Sequence, residues 1–343
     1  MIIFVVSVAI ILLLSIFVIV FRIYSLMDII TDNYKRFSNS SNNINAALFL
    51  LFVISGFTGL IVYSYLEFDK YQLSVASEHG IITDQLFWIT TLICGIVFFI
   101  SQFLLFYCCY KYRYDENRRS FFYVEDHKLE LLWTIFPAIG LTVLVFGGWR
   151  VWSDITDTPP ENSEVIEVVG QQFGWKVRYP GNSKRLGKHD YRLIDPVNEF
   201  GLDLTDNSSF DDFASNVLYL PKGRPVLLKI RSKDVLHSCY LPHFRTKMDA
   251  VPGMPTRFWF IPKKTTVEMR DELQDPNFNY ELACAEVCGK GHFSMRMLVK
   301  VEKSSVYEKW FRNQDSWLSK NIEYLDQVPD NLKELALIKT GLE

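Results

Sequence analysis

The sequence predicts a membrane α + β protein, with four transmembrane helices followed by a β-sandwich or β-barrel outside the membrane. Of its 343 residues, 49% are hydrophobic and 22% are charged, which is too polar for a chain that lies wholly in a bilayer. Apolar runs are concentrated in the first half, and strand-like stretches rich in β-branched and aromatic residues occupy the second. Basic residues are unevenly divided between the connecting loops. These three observations are the basis of the prediction.

Four apolar runs are each long enough to cross a hydrocarbon core of about 30 Å as a helix. They cover residues 1–21, 46–66, 86–109 and 130–152. We interpret the first run as a retained helix and not as a signal peptide. It has no basic segment before it, it exceeds the usual apolar length, and no small-residue cleavage site follows it.

The loops between these runs predict the orientation of the chain. Three basic residues follow the first run and four lie within residues 110–119, whereas residues 67–85 contain a single lysine among acids. By the positive-inside rule the first and third loops are cytoplasmic, so the N-terminus and the C-terminal domain lie on the outer side. The net charge of -3 argues against nucleic acid as a partner.

The second half of the chain has the pattern of an all-β domain. Segments such as VIEVVGQQFGWKVRY and PVLLKIRS are short, alternate with turn residues and are not separated by helical periodicity. The polar residues 181–215 are expected to form a long solvated loop, and apolar spacing after residue 304 predicts a terminal helix that folds back. The predicted domains are a pair of N-terminal helices, a two-helix hairpin, the β domain and a helical tail, at residues 1–80, 81–153, 154–303 and 304–343.

One loop of the β domain concentrates side chains that bind metals. The segment CAEVCGKGHFSM contains Cys284, Glu286, Cys288, His292 and Met295. On the oxidising side of a membrane, a disulfide between the two cysteines is the structural alternative. Zinc would accept two cysteines and a histidine but gains little from methionine, whereas thiolate and thioether together favour copper.

The number of donors in this loop favours two metal ions over one. A mononuclear blue-copper site uses one cysteine, two histidines and a weak methionine, but this loop has two cysteines four positions apart. With one upstream histidine there are five side-chain donors, which two coppers sharing two bridging thiolates would use completely. The predicted topology excludes His79 and His127, and His189 lies in the polar loop. His237 and His243 remain as candidates.

Four segments resemble subunit II of the haem-copper cytochrome c oxidases. They are EDHKLELLWTIFPAI, QQFGWKVRYPG, DVLHSCYLPHFRTKMDAVPGM and CAEVCGKGHFSM, and the resemblance covers about residues 84–315. It implies a cupredoxin-like Greek-key β-barrel or sandwich that holds a dinuclear copper centre, CuA. The copper ligands that it implies are the side chains of His237, Cys284, Cys288, His292 and Met295 and the backbone carbonyl of Glu286.

The resemblance also implies roles for other groups. The carboxylate of Glu286 faces a magnesium or manganese ion at the border with subunit I, and Glu130 lies where a proton path into subunit I begins. The family usually has a tryptophan over CuA where this chain has Phe173, with Trp175 two positions later, so we expect electrons to be accepted through these aromatic residues. Asp234 matches an acidic position associated with cytochrome docking.

The implied function is that of the electron-accepting subunit of a proton-pumping oxidase in a bacterial plasma membrane, with its C-terminal domain in the periplasm. Such a subunit passes electrons from a cytochrome c, through CuA, to haem in subunit I, where oxygen is reduced to water. No C-x-x-C-H motif occurs, so covalent haem is not expected and the donor is a cytochrome c or a cytochrome c domain of another protein. Two alternatives stay open: the CuA subunit of a nitric oxide reductase and a copper-free assembly subunit of a quinol oxidase.

Two further features depart from the family pattern. The usual subunit II has two spanning helices, and this chain has two more in front of them. Small residues such as Gly56 and Gly59 permit close helix contact. We expect these helices to contact lipid and to bind another oxidase subunit or a neighbouring respiratory complex. Cys239 stands where tryptophan is common, and we expect it to pack as a small hydrophobic residue and not to form a disulfide.

Overall fold

Four long helices come first in the chain. The computed structural model describes residues 2–30, 34–115 and 117–342, without the side chains of residues 2–10, 28, 34–40, 69 and 71. Each helix coincides with one of the predicted apolar runs. The helices are α1 (Ile2–Ile30), α2 (Tyr34–Tyr71), α3 (Glu78–Lys111) and α4 (His127–Thr156).

The helical unit consists of Met1–Tyr71 and Thr91–Pro137. Phe57 of α2 packs on α3, where its ring centroid lies 4.8 Å from that of Phe99. Within the described residues three helices are long and apolar enough to cross a membrane, and α1 has a shorter described apolar stretch, Ile11–Met27. Residues 1–10 of the first predicted span lie outside the described side chains. The candidate spans are Ser41–Phe68, Glu78–Lys111 and His127–Thr156.

The second unit consists of Gln72–Thr90 and Ala138–Glu343. Its described residues form two five-stranded sheets. The strands are β1 (Glu164–Gln171), β2 (Gly174–Tyr179), β3 (Phe213–Ser215), β4 (Leu218–Pro221), β5 (Val226–Ser232), β6 (His237–Leu241), β7 (Thr246–Ala250), β8 (Thr256–Phe260), β9 (Tyr280–Cys284) and β10 (Arg296–Glu302). The order is β3-β2-β1-β5-β8 in the first sheet and β4-β10-β9-β6-β7 in the second.

Alternating residues of the two sheets form the hydrophobic core between them. Ile166 and Val168 of β1 are fully buried there, beside Leu228 and Ile230 of β5. Each such side chain contributes about 1.5–3 kcal/mol by leaving water. β1 runs parallel to β5 and β10 runs parallel to β4, and the other paired strands are antiparallel. This arrangement confirms the predicted β-sandwich.

The polar segment 181–215 is not the solvated loop that its composition predicted. Its apolar residues pack with Val169 on the outer face of the first sheet and with the C-terminal tail, and together they form a second core. The hydroxyl of Tyr324 donates to Asp195 at 2.8 Å across 129 positions of sequence. Composition missed this packing because the apolar residues are few and their partners are distant in sequence. The second core consists of Val169, Phe200, Leu202, Leu204, Phe210, Trp317, Leu318, Tyr324, Val328 and Ala336.

The tail folds back onto the domain as three short helices instead of the single helix expected. Ser316 begins the second of them, where its hydroxyl accepts a hydrogen bond from the Ser319 N–H at 3.0 Å. Pro329 lies between the second and the third, and a proline cannot continue a helix that needs its N–H. With a helix between β8 and β9, the short helices are α5 (Thr266–Leu273), α6 (Ser304–Arg312), α7 (Trp317–Lys320) and α8 (Lys333–Thr340).

The segment 72–90 is attached to the β domain by hydrogen bonds. The N–H of Ala76 donates to the carbonyl oxygen of His243 at 2.8 Å, and the carbonyl oxygen of Ala76 accepts from the Lys263 N–H at 2.7 Å. The Nδ1 atom of His243 lies 2.9 Å from the carbonyl oxygen of Ser74. His243 therefore serves this attachment, and His237 is the upstream histidine that remains for a metal.

Candidate metal centre

Two of the proposed ligands are held by adjacent strands of the second sheet. His237 begins β6 and Cys284 ends β9, and the register pairs Cys239 with Cys284. His237 is fully buried, and its Nδ1 atom lies 3.9 Å from the Cys284 sulfur. The sheet thus fixes an imidazole and a thiol before the metal loop begins.

The loop after β9 brings the other donors to the same place. The sulfur of Cys288 lies 4.0 Å from that of Cys284, 3.7 Å from Nδ1 of His292 and 3.7 Å from the sulfur of Met295. The N–H of Cys284 donates to the carbonyl oxygen of Met295 at 3.1 Å and closes the loop at its base. The carbonyl oxygen of Glu286 accepts from the Cys284 thiol at 3.2 Å. All six predicted donors therefore converge.

The chemistry of these donors fits copper. Both thiols are free, and their separation of 4.0 Å is about twice the length of a disulfide bond. The ligand atoms of His237, Cys284 and Cys288 lie within 4.8 Å of one another, so this group could hold a metal ion. Thiolate, thioether and imidazole are the ligands that copper prefers among the protein donors.

Asp234 orients His237. Its carboxylate accepts from Nε2–H of His237 at 2.8 Å and from the N–H of Gln172 at 2.7 Å. Burial alone would raise the pKa of Asp234, but these hydrogen bonds lower it. An imidazole that donates through Nε2 keeps a lone pair on Nδ1, the nitrogen that faces Cys284. The structure thus assigns to Asp234 a contact that the docking interpretation did not anticipate.

Asp234→Asn should weaken copper binding by roughly 10- to 100-fold, the usual effect of losing the hydrogen-bond partner of a ligand. Asparagine has one acceptor oxygen for two N–H donors, so the orientation of the imidazole is no longer enforced. Titration of the copper-loaded chain with a chelator measures the change. Asp271→Asn, at an exposed position on α5, is the matched control. Equal copper affinities of the two variants would show that Asp234 does not support the site.

Two aromatic residues lie near the candidate ligands. Phe173 is 42% exposed and covers the loop so closely that a Cβ added at Gly291 would lie 2.5 Å from its ring. Trp175 is buried, with its ring centroid 6.0 Å from that of His237. Gln172, immediately before Phe173, makes a contact that was not predicted: its side-chain amide donates to the carbonyl oxygen of Cys288 at 2.6 Å. The quoted QQFGW segment was the available signal for it.

Cys239 is fully buried in the core between the sheets, and its thiol is free. Burial strongly raises the pKa of this thiol, with a smaller contribution from Cys284. A buried neutral thiol behaves as a small hydrophobic residue, as expected from the sequence.

Glu130 belongs to the helical unit. It lies in the first turn of α4, and its carboxylate is 3.5 Å from Nδ1 of His127. The Glu130 side chain is 46% exposed. It is thus an accessible acid at the start of an apolar helix.

Comparison with known proteins relates α3, α4 and the β domain with its metal loop to one family. The family model described as "Cytochrome C oxidase subunit II, periplasmic domain" matches residues 164–302, and the corresponding transmembrane-domain model matches residues 74–151. The alternative cytochrome c oxidase subunit 2 of Bradyrhizobium diazoefficiens is 36% identical over 248 residues, which are 71% of this chain and 83% of that protein. The chain belongs to the cytochrome c oxidase subunit II family.

More distant members of the subunit II family match as well. Cytochrome c oxidase subunit 2 of Cereibacter sphaeroides is 25% identical over 244 residues, 67% of this chain and 76% of that protein. The crystal structure of the periplasmic domain of subunit II (CoxB) of Bradyrhizobium japonicum is 24% identical, covers 44% of this chain and 93% of that one, and has a TM-score of 0.30. As a subunit II, the chain is part of an oxidoreductase complex and is anchored in a membrane with its C-terminal domain outside the cytoplasm.

Proposed function

We propose that this subunit II accepts electrons from a cytochrome c at a dinuclear copper centre and passes them to haem in subunit I of a proton-pumping oxidase. The observation that supports this most strongly is the pair of free thiols 4.0 Å apart, each within 4 Å of an imidazole nitrogen. When bound, the two copper ions would supply one-electron transfer. The two thiols, His237, His292, Met295 and the carbonyl oxygen of Glu286 would hold these ions.

The exposed rim of the metal loop is a suitable contact surface for the donor. Val287 and Phe293 are 79% and 81% exposed, and Phe173 is partly exposed beside them against the same loop. Exposed apolar side chains in a cluster often mark a protein contact. We propose that Phe173 contacts the donor and that Trp175, behind it, packs against the ligand His237.

The test is stopped-flow oxidation of ferrocytochrome c by the purified, copper-loaded complex. The wild type should oxidise the cytochrome rapidly. Phe173→Ala should lower kcat/KM for cytochrome c by at least about tenfold, because truncating an aromatic anchor of an interface typically costs 2 kcal/mol or more. Its copper content should remain that of the wild type.

Val267→Ala is the control, since it shortens an exposed apolar side chain on α5, away from the metal loop in sequence. A wild type that binds copper but does not oxidise ferrocytochrome c would exclude the proposed donor. Equal kcat/KM values for Phe173→Ala and Val267→Ala would remove the role of Phe173 and leave electron acceptance intact.

We propose that Glu130 marks the beginning of the proton path. An ionisable side chain in an apolar helix is costly and usually functional, and Glu130 is accessible beside His127. Glu130→Gln should slow turnover and proton uptake several-fold because glutamine cannot exchange a proton. Oxygen consumption and pH changes measured in vesicles test this, with the copper spectrum as an internal control. Glu125→Gln, at another exposed acid nearby, should have no effect. Unchanged turnover in Glu130→Gln would contradict the proposed path.

The two alternative functions differ from this proposal in what they require. A copper-free assembly subunit has no need for the converged ligands, so the geometry of the loop counts against it. A CuA subunit of a nitric oxide reductase would keep these ligands and differ in its partner. Identification of the large subunit that co-purifies, and of oxygen or nitric oxide as its substrate, separates the proposed oxidase from a nitric oxide reductase.

The remaining proposals concern the surroundings of the subunit. We place it in a bacterial plasma membrane, with the β domain in the periplasm. The carboxylate of Glu286 would face a magnesium or manganese ion next to subunit I.

α1 and α2 would bind another oxidase subunit or a neighbouring respiratory complex. Residues 72–77 are attached to the β domain. Removal of residues 1–71 therefore tests the docking role of α1 and α2 separately from copper binding. The shortened chain should keep its copper and lose co-purifying partners, and unchanged co-purification would refute the proposed docking.

A further inference from the structure

A row of charged residues crosses the outer face of the first sheet. Arg178 of β2 is paired in register with Glu167 of β1, which is paired with Lys229 of β5, which is paired with Arg257 of β8. Residues in register across adjacent strands point to the same face of a sheet. Four strands therefore present one glutamate and three basic side chains side by side, on the face opposite the main core.

A cavity of about 390 Å³ lies over this row. Its wall is the stretch 186–189 of the polar segment, and its rim includes Pro255 and Thr256. This volume lies within the range of about 300–1,000 Å³ that is usual for small-molecule sites. One acid, Glu167, lines the cavity. The basic lining residues are Arg178, Lys188, His189, Lys229, Arg231 and Arg257.

The floor of the cavity is a buried ion network in which two guanidinium nitrogens have no hydrogen-bond partner within the described residues. Glu167 accepts from Nε of Arg178 at 2.7 Å and from Nε of Arg231 at 2.9 Å. Burial would raise the pKa of Glu167, but the two arginines lower it, so Glu167 is ionised. Within the described residues, Nη2 of Arg178 and Nη1 of Arg231 have no hydrogen-bond partner. Each is a charged donor on a side chain that lines the cavity.

Arg178 has a second carboxyl partner behind the network. Asp212 accepts from Nη1 of Arg178 at 2.6 Å. Burial nevertheless raises the pKa of Asp212 to about 7, against the opposing effect of Arg178. At the mouth, Lys229 and Arg257 are exposed and form no ion pair among the residues that the structure describes. The excess positive charge of the cavity therefore comes from its exposed lining residues Lys188, Lys229 and Arg257.

We propose that this cavity binds a small anion that carries two or more phosphate groups. A guanidinium nitrogen on the floor and the separate cations at the rim require negative charge at more than one point of the ligand. Tetrahedral phosphate oxygens accept both from an arginine fork and from a lysine point charge. No aromatic side chain lines the cavity within the described residues, so there is no platform for a nucleobase. The diphosphate group itself is the recognised element.

Isothermal titration calorimetry with sodium pyrophosphate, on the purified full-length chain in detergent, tests this proposal. We expect saturable binding to one site per chain. Lys229→Gln/Arg257→Gln should weaken the affinity at least about tenfold, a change of roughly 1.4 kcal/mol. Both positions are exposed and leave the buried Glu167 network intact, so the variant should fold normally.

The matched control is Lys303→Gln/Lys309→Gln, which removes the same charge from exposed positions that do not line the cavity. It should bind pyrophosphate as the wild type does. Absence of saturable binding to the wild type, or equal weakening in both double variants, would overturn the proposal. Sodium citrate that binds as tightly as pyrophosphate would overturn the assignment to phosphate. The readout does not involve electron transfer, so it is independent of the proposed function.

Discussion

Cys284→Ser should abolish the proposed dinuclear centre and reduce the proposed cytochrome c oxidation by more than about 100-fold, beyond the effect of losing only the hydrogen-bond partner of a ligand. Cys284 is next to both His237 and Cys288, at 3.9 and 4.0 Å. A serine hydroxyl is a harder donor than a thiolate and is poorly suited to copper. Elemental analysis of the purified chain and the rate of ferrocytochrome c oxidation measure the two effects.

Cys108→Ser is the control for this substitution, because Cys108 is an exposed free cysteine on α3. Its copper content and activity should remain those of the wild type. If Cys284→Ser retained two coppers and normal activity, the sulfur of Cys284 could not be a bridging ligand.

Glu167→Gln should destabilise the β domain by about 3–5 kcal/mol, the usual cost of removing one partner of a buried ion pair. Glutamine leaves two buried guanidinium groups, those of Arg178 and Arg231, without their shared counter-charge. For a domain of this size the midpoint of thermal unfolding should fall by on the order of 10 °C. Thermal unfolding of the full chain in detergent measures the shift.

Glu281→Gln is the comparison, since Glu281 pairs with Arg296 at the surface. It should reduce the free energy of unfolding by at most about 1 kcal/mol.

The effect of Glu167 also has a defined pH dependence. The pKa of Glu167 in the folded protein lies below the ordinary value. The contribution of Glu167 to the free energy of unfolding is therefore complete above about pH 4.3 and is lost as the pH falls towards the folded pKa. The difference between wild type and Glu167→Gln should therefore be constant at neutral pH and shrink in acid. Equal unfolding midpoints for Glu167→Gln and Glu281→Gln would contradict the role of the network.

The metal loop could be predicted in detail because its chemistry is local. Cys284, Cys288, His292 and Met295 lie close together in sequence, and a short loop can hardly separate such donors in space. The apolar helices were predictable for a similar reason, because a long continuous run of hydrophobic residues predicts a membrane-spanning helix from local sequence alone. For His237, composition left two candidates, and only the resemblance and then the attachment of His243 to Ser74 distinguished them.

Features that depend on distant pairs could not be predicted in this way. Nothing near Glu167 in sequence indicates that Arg231, 64 positions later, completes its ion network. The segment 181–215 has a loop-like composition, yet the tail supplies the apolar partners that order it. The sequence around Asp234 is typical of an exposed acid. Its hydrogen bond to His237 depends on a turn that the sequence pattern does not predict. Each of these contacts joins residues that only the folded chain brings together.

The number of copper ions per chain tests the central claim most directly. Elemental analysis of the copper-loaded wild-type protein, after removal of loosely bound metal, measures this ratio. Two coppers per chain is the predicted result, because the five side-chain donors, two of which are thiols that two ions can share, are used completely only by a pair of ions. A ratio of one or less would contradict the account.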